Sequence, residues 1–233
     1  MTDTSHTAET SASEGAQAKG PADWAVRTEQ AVLDAAIARA GRLGWNQQLV
    51  RAACEAEGLS LGDQELLLPH GPRDLAALLS RRHDAEALKT LEATPASTLK
   101  IRERIAAGLS ARLEAAAKDS EAAKKCGGFL ALPFNADLGI KLTWETADTL
   151  WRWAGDTSTD QNHYSKRTIL SGILAPAMTI RLFEGKEAAD AFCARRIENV
   201  MTFEKWKAGK DFDAPMRKIT DFFGRLRYGA KVD

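Results

Sequence analysis

Ala154-Gly155-Asp156-Thr157-Ser158-Thr159-Asp160-Gln161-Asn162-His163-Tyr164-Ser165-Lys166-Arg167 is a polar block between two apolar, helix-like runs. Trp144, Trp151 and Trp153 precede it, and Ile169, Leu170, Ile173 and Leu174 follow it. A connection between helices needs only a few polar residues. This one gathers acids, amides, hydroxyls, a phenol and two bases, the make-up of a recognition surface. Part of it reads as a helix start. Ser158 and Gln161 have the S-x-x-Q spacing of a capping box, and Asp156 and Asp160 suit the positive end of a helix dipole. Capping leaves Asn162, His163, Tyr164 and Arg167 without a role.

Outward from the block, the pattern is helical almost throughout. Alanine is abundant, prolines are few, and no alternating β-branched run occurs. Apolar spacing and Gly or Pro punctuation predict helices near Trp24–Arg42, Gln47–Glu57, after Ser60, Pro72–Leu91, through Leu99–Leu113, Glu121–Leu132, Ala136–Trp153, Thr159–Phe183, Lys186–Trp206 and within Ala214–Tyr228. Pro176 falls inside the eighth of these and implies a kink. The fold class is all-α. Four segments follow: a disordered tail (1–22), a helix-turn-helix-like head (23–96), a helical body (97–210) and an amphipathic C-terminal helix (211–233).

The 233 residues carry zero net charge, so bulk electrostatics favours neither nucleic acid nor an anionic membrane. Cys54, Cys126 and Cys193 form no C-x-x-C pair and read as reduced structural thiols. No stretch approaches the ~18 apolar residues of a membrane span. The first 22 residues have neither an apolar core nor an arginine, unlike a secretory signal or a mitochondrial presequence. A bacterial cytoplasmic protein, peripheral on the inner face of the membrane, is the expectation.

The block resembles the signature of the ubiquinone (coenzyme Q) biosynthesis accessory proteins of the Coq-nine type, W-x-x-A-G-D-x-S-T-D-x-N-[aromatic]-Y-[ST]-[KR]-R. The matching residues are Trp151, Ala154, Gly155, Asp156, Ser158, Thr159, Asp160, Asn162, Tyr164, Ser165, Lys166 and Arg167. Leu132-Pro133-Phe134-Asn135 resembles the family's L-P-x-N. The resemblance runs weakly from Ala31 to Arg227. It implies a TetR-like fold and a non-enzymatic, lipid-binding auxiliary role. It also implies that Asp156, Asp160, Asn162, His163, Tyr164 and Arg167 dock a quinone hydroxylase of the Coq-seven type or its functional equivalent. His163 stands where the family often has Trp, and an imidazole contributes less to docking than a large apolar anchor does.

The segment Ala31–Ser60 also resembles the opening of TetR-type regulators, so a ligand-responsive DNA-binding regulator is the competing reading. Charge opposes it. Leu61-Gly62-Asp63-Gln64-Glu65-Leu66-Leu67-Leu68-Pro69-His70 has two acids and no Lys or Arg, whereas affinity for DNA comes largely from bases neutralising phosphates. The head is expected to survive as structure. TetR-like bodies commonly pair through their last helices, which makes a homodimer the expected state.

At the C-terminus, Met216, Ile219, Phe222, Phe223 and Leu226 fall on one face at ~100° per residue. Arg217, Lys218 and Arg225 lie opposite. Pro215–Val232 carries five bases and one acid, the composition of an interfacial helix, although packing on the protein's own core or a dimer mate gives the same pattern. The resemblance favours membrane contact.

Chemistry is sparse. The four histidines are His6, His70, His83 and His163, and no H-E-x-x-H, Cys/His cluster, phosphate loop or nucleophile elbow is present. No metal, cofactor or catalytic residue is expected. The body offers Leu109, Leu113, Phe129, Leu130, Leu132, Phe134, Trp144, Trp151, Ile173 and Leu174 as an ordinary core or as the wall of a lipid cavity. Gly127-Gly128 and Pro133 would loosen packing there. The resemblance implies the cavity, holding an isoprenoid quinone or a phospholipid.

Overall fold

The computed structural model describes residues 21–159 and 161–207. Over that range the protein is all-α and TetR-like, with no strand. The helices are α1 (Pro21–Leu43), α2 (Gln47–Ala56), α3 (Leu61–Leu67), α4 (Pro72–Leu91), α5 (Ile101–Lys118), α6 (Ser120–Leu130), α7 (Ala136–Trp153), α8 (Gln161–Phe183) and α9 (Lys186–Lys207). Residues 1–20 of the expected tail and the C-terminal helix, with Met216, Arg217, Lys218, Ile219, Phe222, Phe223, Arg225 and Leu226, lie outside the described residues, while Pro21 and Ala22 begin α1. So does Asp160.

Local chemistry sets the helix starts. The Asn46 side chain accepts from the Leu49 N–H at 3.1 Å and opens α2. Ser60 and Asp63 exchange bonds, the Ser60 hydroxyl accepting from the Asp63 N–H and the Asp63 carboxylate from the Ser60 N–H. That box is made by Asp rather than the usual Glu or Gln. Pro72 sits in the first turn of α4, where its missing N–H costs nothing. Gly71 before it has φ +54°, and a Cβ there would lie 2.5 Å from Oε1 of Gln47. The left-handed φ is what favours glycine here, since the Gln47 side chain could swing aside.

Two apolar cores result. The first joins α1, α2 and the front of α4 through Leu33, Leu49 and Leu75. It also takes Ala122 and Cys126 from α6. The second joins the end of α4 to α5, α7, α8 and α9 through Leu109, Leu113, Leu150 and Leu170. The cores therefore do not divide at residue 96: α4 serves both, and α6 leaves the body to pack on the head.

Two sequence expectations shift. The sixth helix ends at Leu130, so Leu132 and Phe134 stand outside it, 41% and 70% exposed. The eighth helix is described from Gln161 rather than Thr159. The Ser158 hydroxyl donates to the Asp156 carboxylate, at 2.8 and 2.9 Å.

Candidate functional site: a polar knot beside an internal cavity

The connection from α7 to α8 is built by its glycine. The Asp156 N–H bonds the Trp151 carbonyl and the Gly155 N–H bonds the Arg152 carbonyl, each at 3.0 Å. This is the Schellman arrangement, which needs a left-handed residue at its centre. Gly155 supplies it at φ +87°. The turn delivers Asp156 to Arg167. Asp156 accepts from Nη1 of Arg167 at 2.8 Å and from Nζ of Lys166 at 2.6 Å. Nε of Arg167 bonds Asp148 of α7 at 2.6 Å, and Nη1 also reaches the His163 carbonyl at 3.1 Å.

Arg167 is 1% exposed and the Asp156 side chain 4%. The expectation that these two contact a partner directly is therefore corrected. They lie beneath the surface, and each buried charge is matched by another, as burial of ions demands. Burial by itself raises the Asp156 pKa. The hydrogen bonds from Lys166, Arg167 and Ser158 outweigh it and hold the carboxyl well below the usual carboxylate range. The bases Lys166 and Arg167 find partners ten, eleven and nineteen residues away.

What faces outward is narrower. Thr157, Thr159, Gln161 and Asn162 are exposed, and His163 and Tyr164 are half-buried. His163 Nδ1 lies 3.0 Å from the Ser158 carbonyl, to which its N–H donates. The His163 ring meets Tyr164 edge-on at 5.2 Å, and Tyr164 leans on Trp144 with centroids 6.1 Å apart. The imidazole thus closes the first turn of α8 as well as presenting an edge. Trp151 donates its indole N–H to the Lys166 carbonyl at 3.0 Å, with the Lys166 ammonium 5.4 Å from its ring centroid.

A cavity of about 640 Å³ lies among α4, α5, α6, α7 and α8. Its rim residues Gly127, Ala131, Ile140, Gly172, Ala175 and Thr179 are exposed, and its inner residues Ala76, Leu79, His83, Arg112 and Thr146 are buried. Of the ten expected lipid contacts, Leu130 and Leu174 line this cavity. Trp151 and Ile173 line a second one, about 240 Å³, beside Asn162, Ser165 and Lys166. Leu109 and Leu113 are closed core, Trp144 is buried, Phe129 packs on the first core, and Leu132 and Phe134 are exposed. Gly127 does line the larger cavity, and a Cβ added at Gly127 or Gly128 meets nothing within 4 Å.

The inner end of the cavity holds polar residues that spacing did not single out. Arg112 Nε bonds Asp84 at 2.6 Å, and Thr146 donates to the same carboxylate at 2.8 Å. Nη1 of Arg112 is buried with no acceptor among the described residues. An unmade bond of this kind costs about 1–3 kcal/mol. His83 Nε2 lies 3.0 Å from Asp119. Burial, and then the Arg112 charge, push the His83 pKa down to about 4 despite Asp119. One signal was present: His83 continues the Leu75, Leu79, Ala87, Leu91 stripe at i+4 steps, a polar residue on an apolar face. The Asn135 of L-P-x-N is 2% exposed. It donates to the Phe129 carbonyl at 3.0 Å and accepts from Nη1 of Arg73 at 2.9 Å, latching α4 to the entry of α7.

Fold and site together define a TetR-like helical protein with an open cavity between its helices and a buried ion-pair knot at one end of α8. A family model described as COQ9 matches residues 136–204, from α7 into α9. The Xenopus laevis protein named "Ubiquinone biosynthesis protein COQ9-B, mitochondrial" is 27% identical over 188 residues, covering 75% of this chain and 62% of that protein. Its COQ9-A counterpart and the Xenopus tropicalis COQ9 are also 27% identical, with 58% of each covered. The chain is thus similar to COQ9 proteins, the family model through its α7–α9 part and the relatives over most of its length. The chain spans about three fifths of the length of the curated relatives it matches.

Proposed function

We propose that this protein is a lipid-binding auxiliary factor of ubiquinone biosynthesis, with no chemistry of its own. It takes up an isoprenoid quinone intermediate at the membrane and presents it to a quinone hydroxylase of the Coq-seven type or its equivalent. The observation that carries the reading is the cavity. Its volume of about 640 Å³ lies within the ~300–1,000 Å³ of ligand pockets. Its wall includes Leu79, Leu130, Leu142, Leu174 and Met178. α8 runs from the outward face of Asn162, His163 and Tyr164 to the cavity wall at Thr168 and Ser171 within about three turns. Docking there would bring a partner to the cargo. The names of the Xenopus relatives support the pathway.

No described helix is long and apolar enough to cross a membrane. A peripheral association through residues 211–233 and a homodimer belong to the same proposal. The DNA-regulator reading gains nothing from α3, which exposes Leu61 and Leu66 and carries only acids.

The test is solvent extraction of the purified full chain followed by mass spectrometry. The expected extract contains an isoprenoid quinone or a phospholipid. Gly172 lines the exposed rim, and a Cβ there meets nothing within 4 Å. Gly172→Leu is therefore expected to fold normally and lose the lipid at least tenfold. Protein that is empty when taken from quinone-containing cells overturns the carrier reading. For docking, Tyr164→Ala is expected to weaken hydroxylase capture at least tenfold with lipid content unchanged. Unchanged capture would sink that part alone.

A further inference from the structure

We propose that the turn between α6 and α7 is a wedge for the surface of a lipid bilayer. It enters with Leu132 and Phe134, so that the rim of the larger cavity lies against the membrane. The inference rests on the carrier reading and adds which side of the molecule meets the bilayer, at residues other than 211–233.

The turn is apolar and exposed together. Residues 126–136 hold no charged side chain, and neither do residues 168–180 of α8, which share the cavity wall with them. Gly127, Gly128, Ala131, Leu132, Pro133 and Phe134 are all exposed, and Phe134 at the tip is 70% so. On α8, Ala175, Thr179 and Phe183 follow one another at steps of four, which places them on one face. The first two line the cavity, and Phe183 is 69% exposed. Lys124 of α6 holds its ammonium 5.6 Å from the centroid of the Phe183 ring. A lysine placed this way can lay its stem on apolar surface and keep its charge in water. Exposed apolar side chains scattered singly are ordinary, whereas a run of them along one opening marks an interaction surface.

Backbone hydrogen bonding selects the partner. Hydrocarbon supplies no hydrogen bonds, so peptide groups that enter it must already be paired. Those of this turn are. The Ala131 N–H donates to the Gly127 carbonyl at 3.0 Å, the Leu132 N–H to the Phe129 carbonyl at 3.3 Å and the Asn135 N–H to the Leu132 carbonyl at 2.9 Å. Pro133 has no N–H, and the Phe134 carbonyl accepts from Nη1 of Arg73 at 3.0 Å. The charges around the turn are paired too. Arg73 meets Asp137 at 2.7 Å, Lys124 meets Glu121 at 3.0 Å and Lys141 meets Glu145 at 4.0 Å. The wedge therefore needs no anionic lipid and resists salt. In both respects it differs from residues 215–232, whose five bases and one acid favour an anionic surface that salt screens.

The experiment sediments the full chain with phosphatidylcholine vesicles in about 0.5 M salt, which screens surface charge. Phe134→Ser is expected to lower partitioning at least tenfold, the scale of one buried phenyl ring. In parallel, Phe134→Cys carries a nitrobenzoxadiazole fluorophore, the three native cysteines being buried. Its emission is expected to rise on vesicles and to be quenched by lipids brominated on their acyl chains. Emission unchanged on vesicles that hold the chain overturns the wedge. So does partitioning of Phe134→Ser equal to that of the parent. Binding confined to anionic vesicles at low salt assigns membrane contact to the basic C-terminal segment and also overturns it. Loss of hydroxylase capture in Phe134→Ser with vesicle binding intact would make the turn a protein-facing surface instead. Should Phe134→Ser melt early, quenching of the fluorophore decides. Each of these failures leaves the carrier reading standing, because that reading is judged by the lipid extracted from the parent.

Discussion

Arg167 separates two roles that the same polar block can play. Its guanidinium holds Asp148 and Asp156 at 2.6 and 2.8 Å from inside the protein. Removing it leaves Asp156 with Lys166 and Asp148 with Arg152, so the loss falls below the about 3–5 kcal/mol of a buried charge left with no partner. Arg167→Met is therefore expected to lower urea-unfolding stability by about 2–3 kcal/mol, and Gln161→Ala on the exposed first turn of α8 by less than ~0.5 kcal/mol. Equal stability of the two variants would remove the knot from the structural account. Residue types in the block were legible before the fold was known: acids, bases and amides so concentrated mark a place of importance. Which of them point inward was not. That depends on Asp148, Asp156 and Arg167 meeting across two helices, and pairing over nineteen residues leaves no local spacing to read.

At the scale of the element, the α7–α8 turn shows why a glycine belongs between Ala154 and Asp156. A Cβ at residue 155 would take the left-handed φ of +87° and stand 3.3 Å from Nη1 of Arg104. That guanidinium nitrogen donates to the Ala154 carbonyl at 2.8 Å. Gly155→Ala should then lose about 1–2 kcal/mol from backbone strain alone. Gly172→Ala, inside α8 with open space around it, should gain about 0.5–1 kcal/mol. Thermal melts are expected to move in opposite directions, and a shared direction would refute the Schellman assignment. Helices were the most legible feature of the chain. α4 and α7 run between the residues that apolar spacing, Pro72 and Trp153 predicted. The role of Ser158 was not legible, because its spacing to Gln161 says nothing of the bond its hydroxyl donates backward to Asp156.

For the whole molecule, the cavity was visible only as an excess of apolar residues in four helices. Its position follows from how α4, α5, α6, α7 and α8 converge, and most residues nominated for it went to closed core or to the surface. What the convergence creates is a buried polar end whose protonation is coupled to folding. His83 is 2% exposed and its pKa is pushed down to about 4, from the ordinary 6.5. The unfolded chain therefore binds a proton through the window from about pH 6.5 to 4 in which the folded chain does not. Stability rises with pH wherever the unfolded state holds more protons. The His83 contribution is thus complete above about pH 6.5 and is lost as pH falls toward 4. Asp156, held below its ordinary value, adds a second loss only below about pH 4. Between pH 7.5 and pH 5.0 the histidine should account for about 1–2 kcal/mol of lost stability. Urea midpoints at the two pH values measure it, and His83→Gln should flatten the difference whatever its own stability at pH 7.5. A parent protein equally stable at both would mean that His83 is protonated without unfolding. Its charge would then be held by Asp119, 3.0 Å from Nε2, as Asp84 holds that of Arg112.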